Sequence, residues 1–356
     1  MMNSTFTGLY IATSGLYTSQ GAMSVATNNT SNANTPGYSR QTVSQSAAGP
    51  AAVYNGHSIL GNGAQITSVD RIRDAQLDQK YWGENGLLGE WQTKNSSLTE
   101  MEEVLGEPSD NGFSTTMNDF YSALESLGKN AGDDSARTTV QAKGSALCQY
   151  LNETSQRLTK LREDANGSVK ITVSQINSYA SQIADLNDRI YQAKAAGTAV
   201  NDLEDQRGLL IDNLSKLVKV EVAETTTGTQ ANGTENQTLS ISINGQMLLN
   251  GGTTRQLTCS ENASTGMYDI TWQDSGQAFS PGSGTLKASL DLRDGTGADY
   301  KGIPYYLDQL DKFARTFAEA FNEGIFADGS QPYPGHAGGV GSDGSTGIRF
   351  FTYDGK

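Results

Sequence analysis

The stretch that decides the fold is GLYIATSGLYTSQGAMSVATNNTSNANTPGYSRQ, residues 8–41. It begins as an apolar stripe among small polar residues and stops in a turn-rich polar run. Phe6, Leu9, Tyr10, Leu16, Tyr17 and Met23 recur at three- and four-residue intervals, which places them on one side of a helix. No charged side chain appears until Arg40. A helix on the surface of a single domain would carry Lys and Glu on its wet side. Small neutral residues all round suit close packing against several neighbours, so other subunits are expected to complete this helix. A poorly ordered polar terminus is the plainer alternative. After the helix, Asn28–Gln41 forms a bend in which Pro36 fixes local φ and Gly37 permits a turn that a bulky residue would strain.

The remaining chain is polar and lightly charged. Its 356 residues exceed the usual size of one growing core, so two or more units are expected. Hydrophobic residues make up 36% and charged residues 18%, so much of the chain lies in turns or extended surface. A net charge of -14 with only 25 Lys and Arg speaks against nucleic acid as a partner. No apolar run is long enough to insert in a membrane, and the N-terminus lacks the pattern of a conventional secretory signal. Cys148 falls in a helical pattern and Cys259 in a strand-like one. Two separate buried or half-buried thiols are favoured over a disulfide, and the pair cannot make a metal cluster.

The periodicity predicts a mainly α protein. An elongated multi-helix bundle with long coiled-coil-like helices and a small β insertion follows the N-terminal axial helix. Residues 1–45 form that helix and turn, and 46–70 an extended connector with pieces near 51–54 and 65–69. Residues 71–217 form the long helical bundle. Its first helix has Ile72, Leu77, Tyr81, Leu88, Trp91, Leu98, Met101 and Leu105 as apolar face and ends at Gly106 and Pro108. Phe113, Met117, Phe120, Tyr121, Leu124 and Leu127 mark a second helix.

Between 134 and 196 a three-and-four spacing through Leu147, Leu158, Ile176, Ile183 and Ile190 predicts a helix roughly 90 Å long. Gly167 and the β-branched run 169–173 are its weak point, where a kink or register change could occur. Asn201 or Asp202 caps the next helix, with Leu203, Leu210, Leu214 and Leu217 as its buried stripe. The β insertion covers 218–285, where 239–243 alternates before the hairpin turn Asn244-Gly245. Helices return over 286–324, with Leu307, Leu310, Phe313, Phe317, Ala320 and Phe321 as a final apolar face. Residues 325–356 are a Gly-rich final segment that includes Phe350-Phe351.

Catalysis finds little support. His57 and His336 both sit in turn-like polar contexts, and neither has the setting of a catalytic elbow. Asp202, Glu204, Asp205 and Asp212 are the densest acids, but they share one helix with Arg207 and read as a solvated, ion-paired face. The acidic loop 291–299 contains Arg293 and lacks the twelfth-position Glu of a calcium loop. No catalytic, cofactor-binding or metal residues are therefore assigned, and the chain is expected not to be an enzyme.

The ordered run Ser14-Gly15-Leu16, Gln20, Met23, Asn28-Asn29 and then NANTPGYSRQ at 32–41 resembles the N-terminal signature of bacterial flagellar rod, hook and hook-associated proteins. Ser39-Arg40-Gln41 is most similar to the hook-associated protein 1 branch. Asn201-Asp202-Leu203 with Asp205-Gln206-Arg207 resembles that branch's helix after its long helix, and Gly284-Thr285-Leu286 with Arg293-Asp294 and Asp308-Gln309-Leu310 its later helices. Gly208 departs from the pattern, standing where an acidic residue is common. Ile325-Phe326 departs too, in place of a histidine-containing stretch.

The resemblance implies a structural subunit exported by the flagellar type III route and located outside the cell at the hook–filament junction. There it would adapt the hook lattice to the filament and be required for filament assembly. Implied partners are further copies of the chain in a ring, the hook protein, the second hook–filament junction protein and a flagellar export chaperone. Axial subunit packing falls to Leu9, Ala12, Gly15, Leu16 and Met23, helped by small residues such as Gly21, Ala22 and Ala26. The domain-joining turn falls to Asn32, Asn34, Pro36, Gly37, Tyr38 and Arg40. The family pairs its N-terminal helix with a C-terminal one, and nothing resembling that return helix precedes Lys356, so a truncated product is expected. Two other readings are a hook or distal rod protein, which would lack the long helical region, and a secreted glycan-cleaving enzyme, which would need a cleft with convergent acids.

Overall fold

The computed structural model describes residues 6–49, 53–54, 58–59, 61–106, 112–229, 235–341 and 343–352. His57 and Pro108 lie outside them. Helix α1 (Thr7–Ser31) leads to strands β1 (Gln41–Ala47), β2 (Val53–Tyr54), β3 (Ser58–Ile59) and β4 (Ala64–Arg71). Four helices follow: α2 (Ala75–Leu105), α3 (Phe113–Lys129), α4 (Asp134–Ala195) and α5 (Asn201–Leu217). Strands β5 (Glu221–Thr229), β6 (Glu235–Ile243), β7 (Gln246–Asn250), β8 (Thr253–Thr254), β9 (Leu257–Glu261) and β10 (Tyr268–Trp272) precede α6 (Thr285–Asp294) and α7 (Ile303–Glu323). The protein is thus mainly helical, with small sheets inserted among the helices.

The chain divides into two compact units. The first comprises the described parts of Met1–Gly89, Thr172–Ser260 and Ile270–Gly284. Here β1 pairs antiparallel with β4, and a four-stranded sheet runs in the order β5-β6-β7-β8. Alternation along β6 is the physical signature of a half-buried strand: Leu239, Ile241 and Ile243 are buried while their neighbours are not. At the hairpin that follows, Asn244 has φ 50° and Gly245 φ 75°, the pair of left-handed residues that a tight turn between twisted strands requires. The α4 residues Ile176, Ala180, Ile183, Leu186 and Ile190 are buried. Asn177 both donates to the Leu257 carbonyl (2.7 Å) and accepts from its N–H (2.9 Å), fixing α4 to β9.

The second unit comprises the described parts of Glu90–Ile171, Glu261–Asp269 and Thr285–Lys356. One core gathers Phe120, Ala123, Val140, Leu147, Ala318 and Phe351, with Phe113, Phe317, Phe321 and Phe350 packed against it. Phe120 is fully buried and lies 5.6–6.1 Å, centroid to centroid, from Phe317, Phe321, Phe350 and Phe351. Buried Asn322 organises this end, accepting from the N–H of Phe350 (2.9 Å) and Phe351 (3.0 Å) and donating to the Phe351 carbonyl (2.6 Å). A smaller core joins Met101, Leu158, Leu292 and Ile303.

Several expectations change. α4 has 62 residues and runs as one helix through Gly167, the weak point of its pattern. Val169 and Val173 are buried, so packing outweighs the low helix propensity of the β-branched run. On α2, Leu77, Tyr81, Leu88, Trp91 and Leu98 of the expected face are exposed while Met101 is buried; Trp82, Asn85, Gly86, Gly89 and Lys94 are the other buried residues. On α5 the buried residues are Asp205, Gly208, Ile211, Leu214 and Ser215, while Leu203, Leu210 and Leu217 are only partly covered. Cys148 is exposed rather than buried, Cys259 is half-buried, and neither forms a disulfide.

Candidate functional site

The site is the polar turn between α1 and β1, together with what holds it. Helix α1 has two opposite sides. Ile11, Ser14, Thr18, Gly21, Val25 and Asn29 recur at three and four residues and turn toward the β1–β4 hairpin. Ser14 Oγ accepts the Ala64 N–H (3.2 Å), Thr18 Oγ1 donates to the Ala64 carbonyl (3.2 Å), and Gly21 lies so close to Ile66 that a Cβ would overlap it. On the other side Leu9, Leu16 and Met23, spaced by seven, are 61%, 57% and 72% exposed, flanked by exposed Phe6, Tyr10 and Tyr17. The helix buries its small polar side and presents its apolar one, the reverse of an ordinary surface helix.

The turn closes by local bonds. Asn32 Nδ2 donates to Asn28 Oδ1 (2.7 Å), the Thr35 N–H donates to the Asn32 carbonyl (2.9 Å), and the Tyr38 N–H donates to the Thr35 carbonyl (3.2 Å). Gly37 has φ +80°, and a Cβ there would stand 2.9 Å from Leu209 Cβ, so backbone conformation and close approach both call for glycine. Asn29 is the hub. Its Oδ1 accepts from the Tyr38 hydroxyl (2.8 Å) and the Gln41 N–H (2.9 Å), while its Nδ2 donates to the Gln41 carbonyl (2.8 Å).

Helix α5 supplies the anchor. Asp205 is buried; its Oδ2 accepts the Ser39 N–H (2.9 Å) and its Oδ1 pairs with Arg71 Nη1 (2.8 Å). Arg71 Nη2 also pairs with Glu204 (2.8 Å), which binds Lys194 (2.9 Å). Asn201 Nδ2 donates to the Val69 carbonyl (2.8 Å). Burial alone would raise the Glu204 pKa, but Lys194 and Arg71 outweigh it and hold the carboxyl below its usual range. Burial lowers the Arg207 pKa despite its pairing with Glu224, and burial raises that of Asp212, whose Oδ1 accepts from Trp82 Nε1 (2.7 Å). Glu204 and Asp205 are therefore ion-paired and drawn out of solvent, whereas Asp202 stays exposed. A cavity of about 270 Å³ lies beside the turn, bordered by Asn28, Pro36, Tyr38, Asp202 and Leu209.

The sequence-derived turn residues Asn32, Pro36, Gly37 and Tyr38 thus meet at one place. Asn34 is exposed, and Arg40 contributes its carbonyl to the Ile72 N–H (2.8 Å) with its side chain exposed. Ala12 lies on the exposed side of α1, and Gly15 has nothing within 4 Å of a would-be Cβ. The two residues that hold the site together, Asn29 and Asp205, were quoted in motifs but not assigned to it. Among the described residues no group of three or more His, Cys, Asp or Glu could hold a metal, and no helix is long and apolar enough to cross a membrane.

A helical body bonded to a polar turn, carrying a helix whose apolar side faces outward, fits a structural subunit of the flagellar axial class. The pattern described as flagellar hook-associated protein FlgK helical domain matches residues 98–351, and that described as flagella basal body rod protein matches 9–38. Flagellar hook-associated protein 1 of Bacillus subtilis (strain 168) is 35% identical over 374 residues, covering 99% of this chain and 71% of the relative. The Escherichia coli (strain K12) protein of that name is 31% identical, covering 96% of this chain and 59% of its own length. A solved structure of the flagellar hook junction protein FlgK from Burkholderia pseudomallei superposes with a TM-score of 0.57 at 26% identity, over 70% of this chain and 44% of that one. The chain belongs to the flagellar hook-associated protein 1 family.

Proposed function

We propose that this chain is a structural subunit of the hook–filament junction, exported from the cytoplasm and placed outside the cell between hook and filament. The observation that carries this reading is the bonded union of the axial signature turn with α5. Asp205 grips the Ser39 backbone and Arg71, while Leu9, Leu16 and Met23 remain outward for a neighbouring subunit. Buried apolar contact between neighbours, with the α1–α5 geometry fixed by polar bonds, gives a part that stacks without chemistry. The partners on this reading are further copies in a ring, the hook protein on one side, the second hook–filament junction protein on the other, and an export chaperone beforehand. The family pattern over 98–351 favours this over a hook or distal rod protein.

The test is deletion of the gene in its own organism. Hooks without filaments, with filaments restored by the intact gene, are expected. Normal filaments in the deletion strain would overturn the reading.

A further inference from the structure

Arg40 is the only Lys, Arg, Asp or Glu in the first 69 residues. The turn uses its carbonyl, which accepts the Ile72 N–H, and leaves its side chain exposed with no partner among the described residues. Its neighbours face α5 instead: the Ser39 N–H donates to Asp205, and Gln41 Nε2 reaches Asp202 (3.4 Å). A charge standing in water contributes little to the fold. Its complement lies on the first turn of α5. Asp202 is exposed and has only the long bond from Gln41, whereas Glu204 pairs with Arg71 and Lys194, and Asp205 with Arg71.

Asp202 borders the cavity of about 270 Å³ beside the turn, together with Tyr38, Gln206, Pro36 and Leu209, and among the described residues no Lys or Arg lines it. Burial, then the carboxylates of Asp202 and Asp205, raise the Tyr38 pKa, so the field in the cavity is negative. Such a space suits a guanidinium. The carboxylate of Asp202 and the amide oxygen of Gln206 can accept its N–H groups, while Pro36 and Leu209 cover its aliphatic stem.

We propose that Arg40 of one copy of this chain enters the cavity of the next copy and pairs there with Asp202. The inference names a contact inside the ring of the junction reading and rests on that reading. Base and acid are different residues, so each contact runs head to tail, and contacts of that kind close into a ring when the rotation fits. A single exposed ion pair is too weak to join free chains. It acts once the apolar side of α1 has brought neighbours together, and fixes their register.

Charge reversal at the gene's own locus tests it, with filaments per cell scored beside export and the melting of the purified chain. Arg40→Asp and Asp202→Arg should each cut filament number about tenfold with melting unchanged, and the two together should restore most of it. Normal filaments in both single variants would overturn the proposal, as would a double variant no better than either single. A melting change in the single variants that the double variant cures would place the pair within one chain and overturn it too. Should a reversal block export, the uncharged pair Arg40→Cys and Asp202→Cys, in a Cys148→Ser chain, decides. Oxidation on assembled hooks should give a ladder of linked copies, and unlinked chains would refute the contact. Loss of filaments on deleting the gene, beside normal filaments in both reversals, would sink this pairing alone and leave the junction reading intact.

Discussion

Replacing Asp205 with Ala should loosen the signature turn from the body. The carboxylate is 6% exposed and makes two charge-assisted bonds, to the Ser39 N–H at 2.9 Å and to Arg71 at 2.8 Å. Stranding a buried N–H costs about 1–3 kcal/mol. Breaking a buried ion pair on one side costs about 3–5 kcal/mol, but Arg71 keeps Glu204 as a second partner, so the lower end applies. The expected loss is about 3 kcal/mol for Asp205→Ala. About half of that is expected for Asp205→Asn, which retains an acceptor for Ser39. Urea titration gives the magnitude, and hydrogen exchange of peptides covering 32–47 gives the location. Faster exchange confined to the turn and β1 is the expected pattern. An unchanged urea midpoint together with unchanged exchange at Ser39 would refute the reasoning.

Gly37→Ala should cost about 1–2 kcal/mol from its positive φ plus the Leu209 contact. Leu209→Ala in the same chain should recover only the steric part, as read by melting. Asn29→Ala should raise exchange at Gln41, because it removes the bonds to both the N–H and the carbonyl of that residue. Gly208→Glu should stabilise by about 1 kcal/mol, since it restores helix propensity and sets a carboxylate near Arg73, provided the guanidinium yields a few tenths of an ångström; urea titration decides the sign. Acid should destabilise the first unit through Glu204. Its folded pKa lies below its unfolded one, so its contribution is full above the ordinary carboxylate range and disappears as pH falls through the folded value. Asp212, raised by burial, acts in the opposite sense. Glu204→Gln should therefore flatten the acid limb of stability against pH, measured as urea midpoints.

Local chemistry was legible from residues alone. The three-and-four spacing of α4 foretold a helix of its full length, and Asn244-Gly245 foretold the β6–β7 hairpin. Periodicity identifies a side of a helix but not what covers it, which is why α2 read the wrong way round. Its large apolar residues suggested a packed side. Two glycines instead let the backbone of α2 approach α5 closely, and Trp82 and Asn85 bond into that contact. The acids of α5 failed for a related reason. The bond from Ser39 to Asp205 joins residues 166 apart, so no local pattern distinguishes that buried carboxylate from its exposed neighbour Asp202. Within the turn, Gly37 and Pro36 are marked by conformational need, whereas Asn29 bonds to a strand twelve residues on and looks like any polar helix residue.

The central claim is that the outward apolar side of α1 serves neighbouring subunits and not the fold. Leu16→Asp, introduced into the gene at its own locus, tests it most directly when junction incorporation and filament number are scored beside export and melting temperature. The account predicts wild-type export and melting, intact hooks, and loss of both junction incorporation and filaments, because Leu16 is 57% exposed. Normal filaments on cells exporting the variant at wild-type levels would contradict it.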